Sequence, residues 1–367
     1  MGKQTIEKMK KVGMITIYRK NYGAFLQTYA LQQTLIKLGY TPEVIRYDYY
    51  KDHTLFTLSM ATHPSFAKLL KAAIVELVRY VPHKKREQVF NQSIKKHINE
   101  SAEYYKEYSE LEQNPPCYDI YITGSDQVFN PKLSLQAMPA RQLRFVKNGI
   151  KASYAASSGA DDIDEIYINA LRTFNAISVR EEGLATCLQK THGLKAIAHI
   201  DPVFLLDKKD WENFAEPIED LGGNYIFYYR VLPQKEIIEK AKEISTKLHL
   251  PIFVADGHDK FENQIKRKGI LSPEQWVYAL NHATYIVTNS FHGTAFAINM
   301  QKSADIIIPP KGENRIKNLM TNCSQLNLFN SSMNINFTDS RIFEEFSCYI
   351  NEERKKSIDY LSSLSLF

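Results

Sequence analysis

Cysteine is scarce. The 367 residues hold four, Cys117, Cys187, Cys323 and Cys348, widely spaced and without a C-x-x-C pair. That spacing argues against a zinc site or a disulfide framework and fits reduced thiols in a cytoplasm. Long apolar runs are missing too: no stretch reaches the roughly 18 residues that a membrane-spanning helix needs. Residues 1–11 are polar and charged and lack the apolar centre of a secretory signal. Neither a G-x-G-x-x-G fingerprint nor a P-loop occurs. There is no low-complexity segment and no short internal repeat. Charge of one sign is not in excess. The 46 Lys and Arg against 41 Asp and Glu leave +5, too mild to indicate a nucleic-acid partner but compatible with anionic substrates. No dedicated cluster of metal ligands is visible, and neither a metal nor a cofactor is expected.

What is present is ordinary globular material, 44% hydrophobic and 24% charged, in a chain long enough for two domains. Tyrosine is abundant at 22 residues; its flat amphipathic ring suits sugar sites as well as plain cores. An apolar run at 12–17 reads as a buried strand, 24–38 as a helix stopped by Gly39, and 44–47 as a second strand. Further strands are expected at 119–123, 152–156, 176–179 and 196–200. Past Pro202 the alternation resumes, with strands at 225–229, 251–255, 284–288 and 304–308. Helices are expected there at 234–248, 273–282, 293–301 and 315–325. This pattern predicts two doubly wound, Rossmann-like α/β domains, 1–202 and 203–340, with a cleft between them, the arrangement of a GT-B-like fold. A helical tail, 341–367, has the N-terminal domain available to pack on. An amphipathic helix at 65–81, followed by His83, Lys84, Lys85 and Arg86, has two outlets. Its stripe can pack on its own domain, or residues 65–86 can lie at an anionic membrane surface.

Ligands of such folds collect at the carboxyl ends of strands. Four stretches sit there. In Asn289-Ser290-Phe291-His292-Gly293-Thr294 a strand meets a helix, whose free first-turn N–H groups favour an anion, and His292 can hydrogen-bond it or move a proton. Ser125, Asp126, Gln127 and Asn130 cluster after another strand, where they can grip hydroxyls or simply form a turn. Asn21, Tyr22 and Gly23 form the first strand-to-helix loop. Arg180, beside Glu181 and Glu182, offers a planar fork for carboxylate or phosphate, or an ion pair; Arg315 raises the same two options.

Six motifs in order carry a resemblance: Asn21-Tyr22-Gly23-Ala24, Gly124 through Pro131, Ser153-Tyr154-Ala155-Ala156-Ser157, Ser178-Val179-Arg180-Glu181, Asp201-Pro202 and Ser290-Phe291-His292-Gly293-Thr294. Together they resemble the polysaccharide pyruvyl transferase family. The resemblance implies phosphoenolpyruvate as co-substrate and an oligosaccharide acceptor, lipid-linked at the inner membrane face, bridged as a cyclic ketal in polysaccharide biosynthesis. It places the acceptor on the N-terminal domain, with Asn21, Tyr22, Gly23, Ser125, Gln127 and Asn130. The donor falls to Asn289, Ser290, Gly293, Thr294 and Arg315. The catalytic roles fall to His292 as acid or acid relay, Arg180 as anion clamp and Asp126 as base or hydroxyl ligand. Some members carry a second arginine where this chain has Ser290, and Arg315 is the nearest candidate to replace it. A glycosyltransferase with a nucleotide-sugar donor and a non-catalytic sugar-binding protein are the alternatives on the same fold.

Overall fold

The computed structural model describes residues 9–47, 84–130, 137–256, 259–266, 269–309, 313–323, 334–338 and 340–367. The helix expected at 65–81 lies outside them. So does most of the 65–86 segment.

The first sheet is parallel, in the order β3-β2-β1-β4-β5. Its strands are β1 (Lys11–Ile15), β2 (Thr41–Tyr47), β3 (Glu100–Tyr105), β4 (Ile120–Gly124) and β5 (Ile150–Tyr154). The central strand β1 pairs Met14 with Val44 on one side and Ile122 on the other. A parallel pair, β6 (Ile177–Val179) and β7 (Ala196–Ala198), continues beside β5 through the bridges Ala152 to Ala176 and Ala156 to Val179. The second sheet runs β12-β11-β10-β8-β9. It comprises β8 (Ile226–Tyr229), β9 (Ile252–Val254), β10 (Tyr285–Thr288), β11 (Ala304–Ile307) and β12 (Asn334–Phe337), of which only β12 is antiparallel to its neighbour. Strands β4, β8, β10 and β11 are buried along their whole length, as parallel strands covered on both faces must be.

Among the helices are α1 (Tyr22–Lys37), α2 (residues 84–97), α3 (Glu182–His192), α4 (Pro273–His282), α5 (Phe291–Asn299), α6 (Glu313–Cys323) and α7 (Ser340–Ser363). Local chemistry sets their starts. Asn21 caps α1 by accepting from Ala24 N–H at 3.2 Å. Ser272 and Gln275 form a reciprocal capping box on α4, with Pro273 at its first position. Two edge strands, β3 and β12, carry no apolar run. The sequence of β3 is ESAEYY with three consecutive exposed residues, and that is why periodicity does not reveal it.

The two domains share one hydrophobic core. Tyr22, fully buried at the head of α1, stacks on Trp276 of α4 with centroids 5.7 Å apart and donates to the Leu271 carbonyl at 3.0 Å. The tail helix α7 reaches the first domain, where Tyr360 Oη donates to the Ser153 carbonyl at 2.8 Å, and its Arg354 Nε donates to the Phe204 carbonyl, just past the domain boundary, at 2.6 Å. Of the basic flank, Arg86 turns inward. Its guanidinium lies 4.8 Å from the Tyr22 ring centroid, and Nε donates to the Lys20 carbonyl at 3.1 Å. That charge is therefore engaged inside the protein. No helix among the described residues is long and apolar enough to cross a membrane.

Candidate active site

Strand ends from both domains deliver charge to one cluster, and Arg180, Glu181, Asp201, Phe291 and Arg315 of it line a cavity of about 560 Å³ with open solvent included. After β4 the chain turns at Gly124, whose φ is +146° and where a Cβ would fall 2.0 Å from the Tyr154 carbonyl oxygen. Only glycine fits this turn, and it leads directly to Ser125 and Asp126. Arg180 and Glu181 follow β6, Asp201 follows β7, and His292 and Arg315 begin α5 and α6.

Asp201 is the hub. Its Oδ2 accepts from Arg180 Nη1 at 2.7 Å and from Ser125 Oγ at 3.2 Å, and lies 3.8 Å from His292 Nε2. The Phe291 ring is a platform for two cations, with the Arg180 guanidinium carbon 4.6 Å and that of Arg315 5.8 Å from its centroid. Arg315 Nη1 stands 3.7 Å from Asp126 Oδ1. Gln127, its amide oxygen turned to Arg315, accepts from both terminal nitrogens at 3.2 and 3.1 Å, with Asn130 on the other side of that amide. Several buried polar atoms here have no hydrogen-bond partner among the described residues: Arg180 Nε and Nη2, Arg315 Nε, Glu181 Oε2 and His292 Nε2.

Burial by itself would raise the Asp126 pKa, but His292, Arg180 and Arg315 hold the carboxyl below the ordinary range. Burial pulls His292 below 6.5, and the two arginines add to this against the pull of Asp201 and Asp126. That direction favours the neutral imidazole, a form that can accept a proton.

The model of the polysaccharide pyruvyl transferase family matches residues 21–304, well over half the chain. The chain belongs to this family. None of the curated proteins matches it by sequence. Among solved structures, the S. aureus MnaA–UDP co-structure is 10% identical and aligns over 92% of this chain and 91% of its own, with a TM-score of 0.53. The UDP-GlcNAc 2-epimerase of Methanocaldococcus jannaschii is 12% identical over 93% of this chain and 99% of its own, with a TM-score of 0.43. The first of these likenesses agrees with the two Rossmann-like, GT-B-type domains seen here.

The structure of this family member brings together Arg180, Asp126, Ser125, Gln127, Asn130, His292 and Arg315. It places the other expected residues differently. Ser290 caps α5 by accepting from Gly293 N–H at 3.2 Å, and the Thr294 N–H donates to the Ser290 carbonyl at 2.9 Å. Both amides expected to hold an anion are therefore already engaged. A Cβ on Gly293 would meet Thr288 Oγ1 at 2.5 Å, so this glycine answers to packing on β10. The Asn289 amide is used within its own domain, accepting from Val231 N–H at 2.9 Å and donating to the Leu232 carbonyl at 2.9 Å. Tyr22 is sealed in the interdomain core, and the Asn21 side chain is the α1 cap. Gly23 matters for another reason: a Cβ there would lie 2.1 Å from His292 Nδ1. Three residues that line the cavity, Asp201, Glu181 and Phe291, carry no mark of a site in the sequence pattern. Asp201-Pro202 stands at a strand end and reads as a connector, while Glu181 reads as an ion-pair partner of Arg180. Among the described residues no group of three His, Cys, Asp or Glu side chains is arranged to hold a metal ion.

Proposed function

We propose that the cleft binds phosphoenolpyruvate and transfers its pyruvyl group to a sugar as a cyclic ketal. The acceptor in this reading is a lipid-linked precursor of a polysaccharide, met at the inner face of a membrane. The observation that supports it most is the pair of arginines on Phe291, with three buried guanidinium nitrogens lacking partners among the described residues. An unpaired buried donor costs about 1–3 kcal/mol, and a bound anion removes that cost. A donor with a phosphate and a carboxylate presents two anionic groups to two planar forks.

The chemistry asks for a proton on the methylene carbon, which makes the adjacent carbon electrophilic. A sugar hydroxyl adds there, phosphate leaves, and a second hydroxyl closes the ring. Neutral His292 suits the acceptance of a hydroxyl proton, and ionised Asp126 suits the orientation of that hydroxyl. The decisive test is incubation with phosphoenolpyruvate and a panel of lipid-linked and synthetic oligosaccharides. It is read as release of phosphate and the mass gain of one pyruvyl ketal. Thermal stabilisation by a nucleotide sugar, with none by phosphoenolpyruvate, would sink the proposal in favour of glycosyl transfer.

A further inference from the structure

Glu181 is a buried carboxyl that this mechanism has not yet used. It precedes α3 with an extended backbone, φ −90° and ψ 126°, where a side chain often caps the helix; Glu181 makes no such bond. Its side chain turns into the cleft beside Arg180 and Arg315 and is 2% exposed. The two carboxyl oxygens are not equivalent. Ser157 Oγ accepts from Gly159 N–H at 3.0 Å and is hydrogen-bonded to Glu181 Oε1. With Oε1 engaged by Ser157, Oε2 is the carboxyl oxygen open to carry a transferable proton. That atom is buried, lines no other bond among the described residues, and belongs to a residue of the cleft wall.

Resting on the phosphoenolpyruvate reading of the site, we propose that Glu181 is the catalytic acid and that its Oε2 delivers the proton to the donor's methylene carbon. The electron pair of the carbon–carbon double bond takes that proton and forms the new C–H bond of a methyl group. The adjacent carbon, electron-poor, bonds to the first sugar oxygen, whose proton passes to His292. The bond to the phosphate oxygen then breaks with its electron pair on phosphate, and the second hydroxyl adds and loses its proton. Two hydroxyl protons are released in all: one restores Glu181 and so accounts for the methyl hydrogen, and the other ends on phosphate. Nothing is oxidised or reduced. Burial raises the Glu181 pKa against the opposing pull of Arg180, Ser157 and Arg315, in keeping with a proton held for transfer.

The test is Glu181→Gln, which keeps the size and the Ser157 contact but removes the acid. The expected result is a phosphoenolpyruvate-induced rise in Tm like that of the wild type, with kcat down on the order of 10²-fold or more. The wild-type kcat falls at high pH as Glu181 loses its proton, and Glu181→Asp, which keeps an acid, retains that alkaline limb. Turnover of the Gln variant within a few-fold of wild type overturns the assignment. So does loss of the Tm shift along with turnover, because Glu181 would then be holding Arg180 rather than moving a proton. If the Gln variant does not fold, an Asp variant without the alkaline limb overturns it. Wild-type protein that neither binds phosphoenolpyruvate nor forms a ketal brings down the reading of the site, and Glu181 with it, which is a distinct result.

Discussion

Gly23 and His292 belong to different domains, yet each limits the other. The imidazole occupies the space a side chain at position 23 would need, with Nδ1 2.1 Å from an ideal Cβ. Gly23→Ala must displace the ring from its place beside Asp201. Turnover is expected to fall on the order of 10²-fold, as small misplacements of a reacting group do, while the Tm shift with phosphoenolpyruvate persists because both arginines stay in place. Unchanged kcat/KM in that variant would remove His292 from the reaction. Arg180 behaves differently. It neutralises buried Asp201 through the 2.7 Å bond, so Arg180→Ala is expected to cost about 3–5 kcal/mol of stability besides turnover, measurable by urea unfolding. Arg180→Lys keeps the charge and should fold better while losing the fork. Much of this was legible in the chain. His292, Arg180 and Asp126 were legible as candidates because strand ends in α/β folds carry polar site residues. Asp201 was not, because a sequence shows a carboxylate before proline and says nothing of the three groups that converge on it.

Helix starts decide where the cations stand. Ser290 spends its hydroxyl on Gly293 and contributes no charge, so the second positive group comes from α6, where Arg315 shares the Phe291 platform with Arg180. Arg315→Ala is expected to reduce the phosphoenolpyruvate-induced rise in Tm without lowering the Tm of the free protein much, since Arg315 is held mainly by Asp126 at 3.7 Å and by Gln127. A full shift in that variant would leave Arg180 as the sole clamp. At this scale the sequence is informative wherever burial is two-sided: β8 and β10 are mostly apolar, β11 is apolar but for Asp305, and the capping box of α4 is written out in Ser272-Pro273-Glu274-Gln275. It is silent at the sheet edges β3 and β12, and it overstates α5. A helix start looks like an open anion site until the cap's own hydrogen bonds are counted.

Acid should weaken the whole molecule in two separable windows, each tied to a joint between its parts. His199 lies between the rings of Tyr154 and Tyr360, centroids 6.0 and 4.6 Å away, where α7 meets the first domain; Ser178 Oγ is 2.8 Å from its Nδ1. Burial lowers its pKa from 6.5 to about 4. The unfolded chain therefore takes up this proton at higher pH than the folded one, and stability falls as pH drops from 6.5 towards 4, by about 3 kcal/mol in all. Glu274 of α4 is the second joint. It accepts from Ser93 Oγ at 2.7 Å and meets His97 Nε2 at 2.9 Å, both on α2 of the other domain. Burial opposes its charge, but these hydrogen bonds outweigh that and hold its pKa at about 2. A lowered carboxylate stabilises above its unfolded value, so this contribution is intact at pH 4.5 and is lost as pH falls towards 2. Urea midpoints measured for wild type, His199→Gln and Glu274→Gln across this range separate the two. The His199 variant should lose less stability than wild type between pH 6.5 and 4 and then run parallel to it. The Glu274 variant should start less stable at neutral pH and close the gap only below pH 4.5. Curves that stay parallel to wild type through both windows would show that neither joint senses protons.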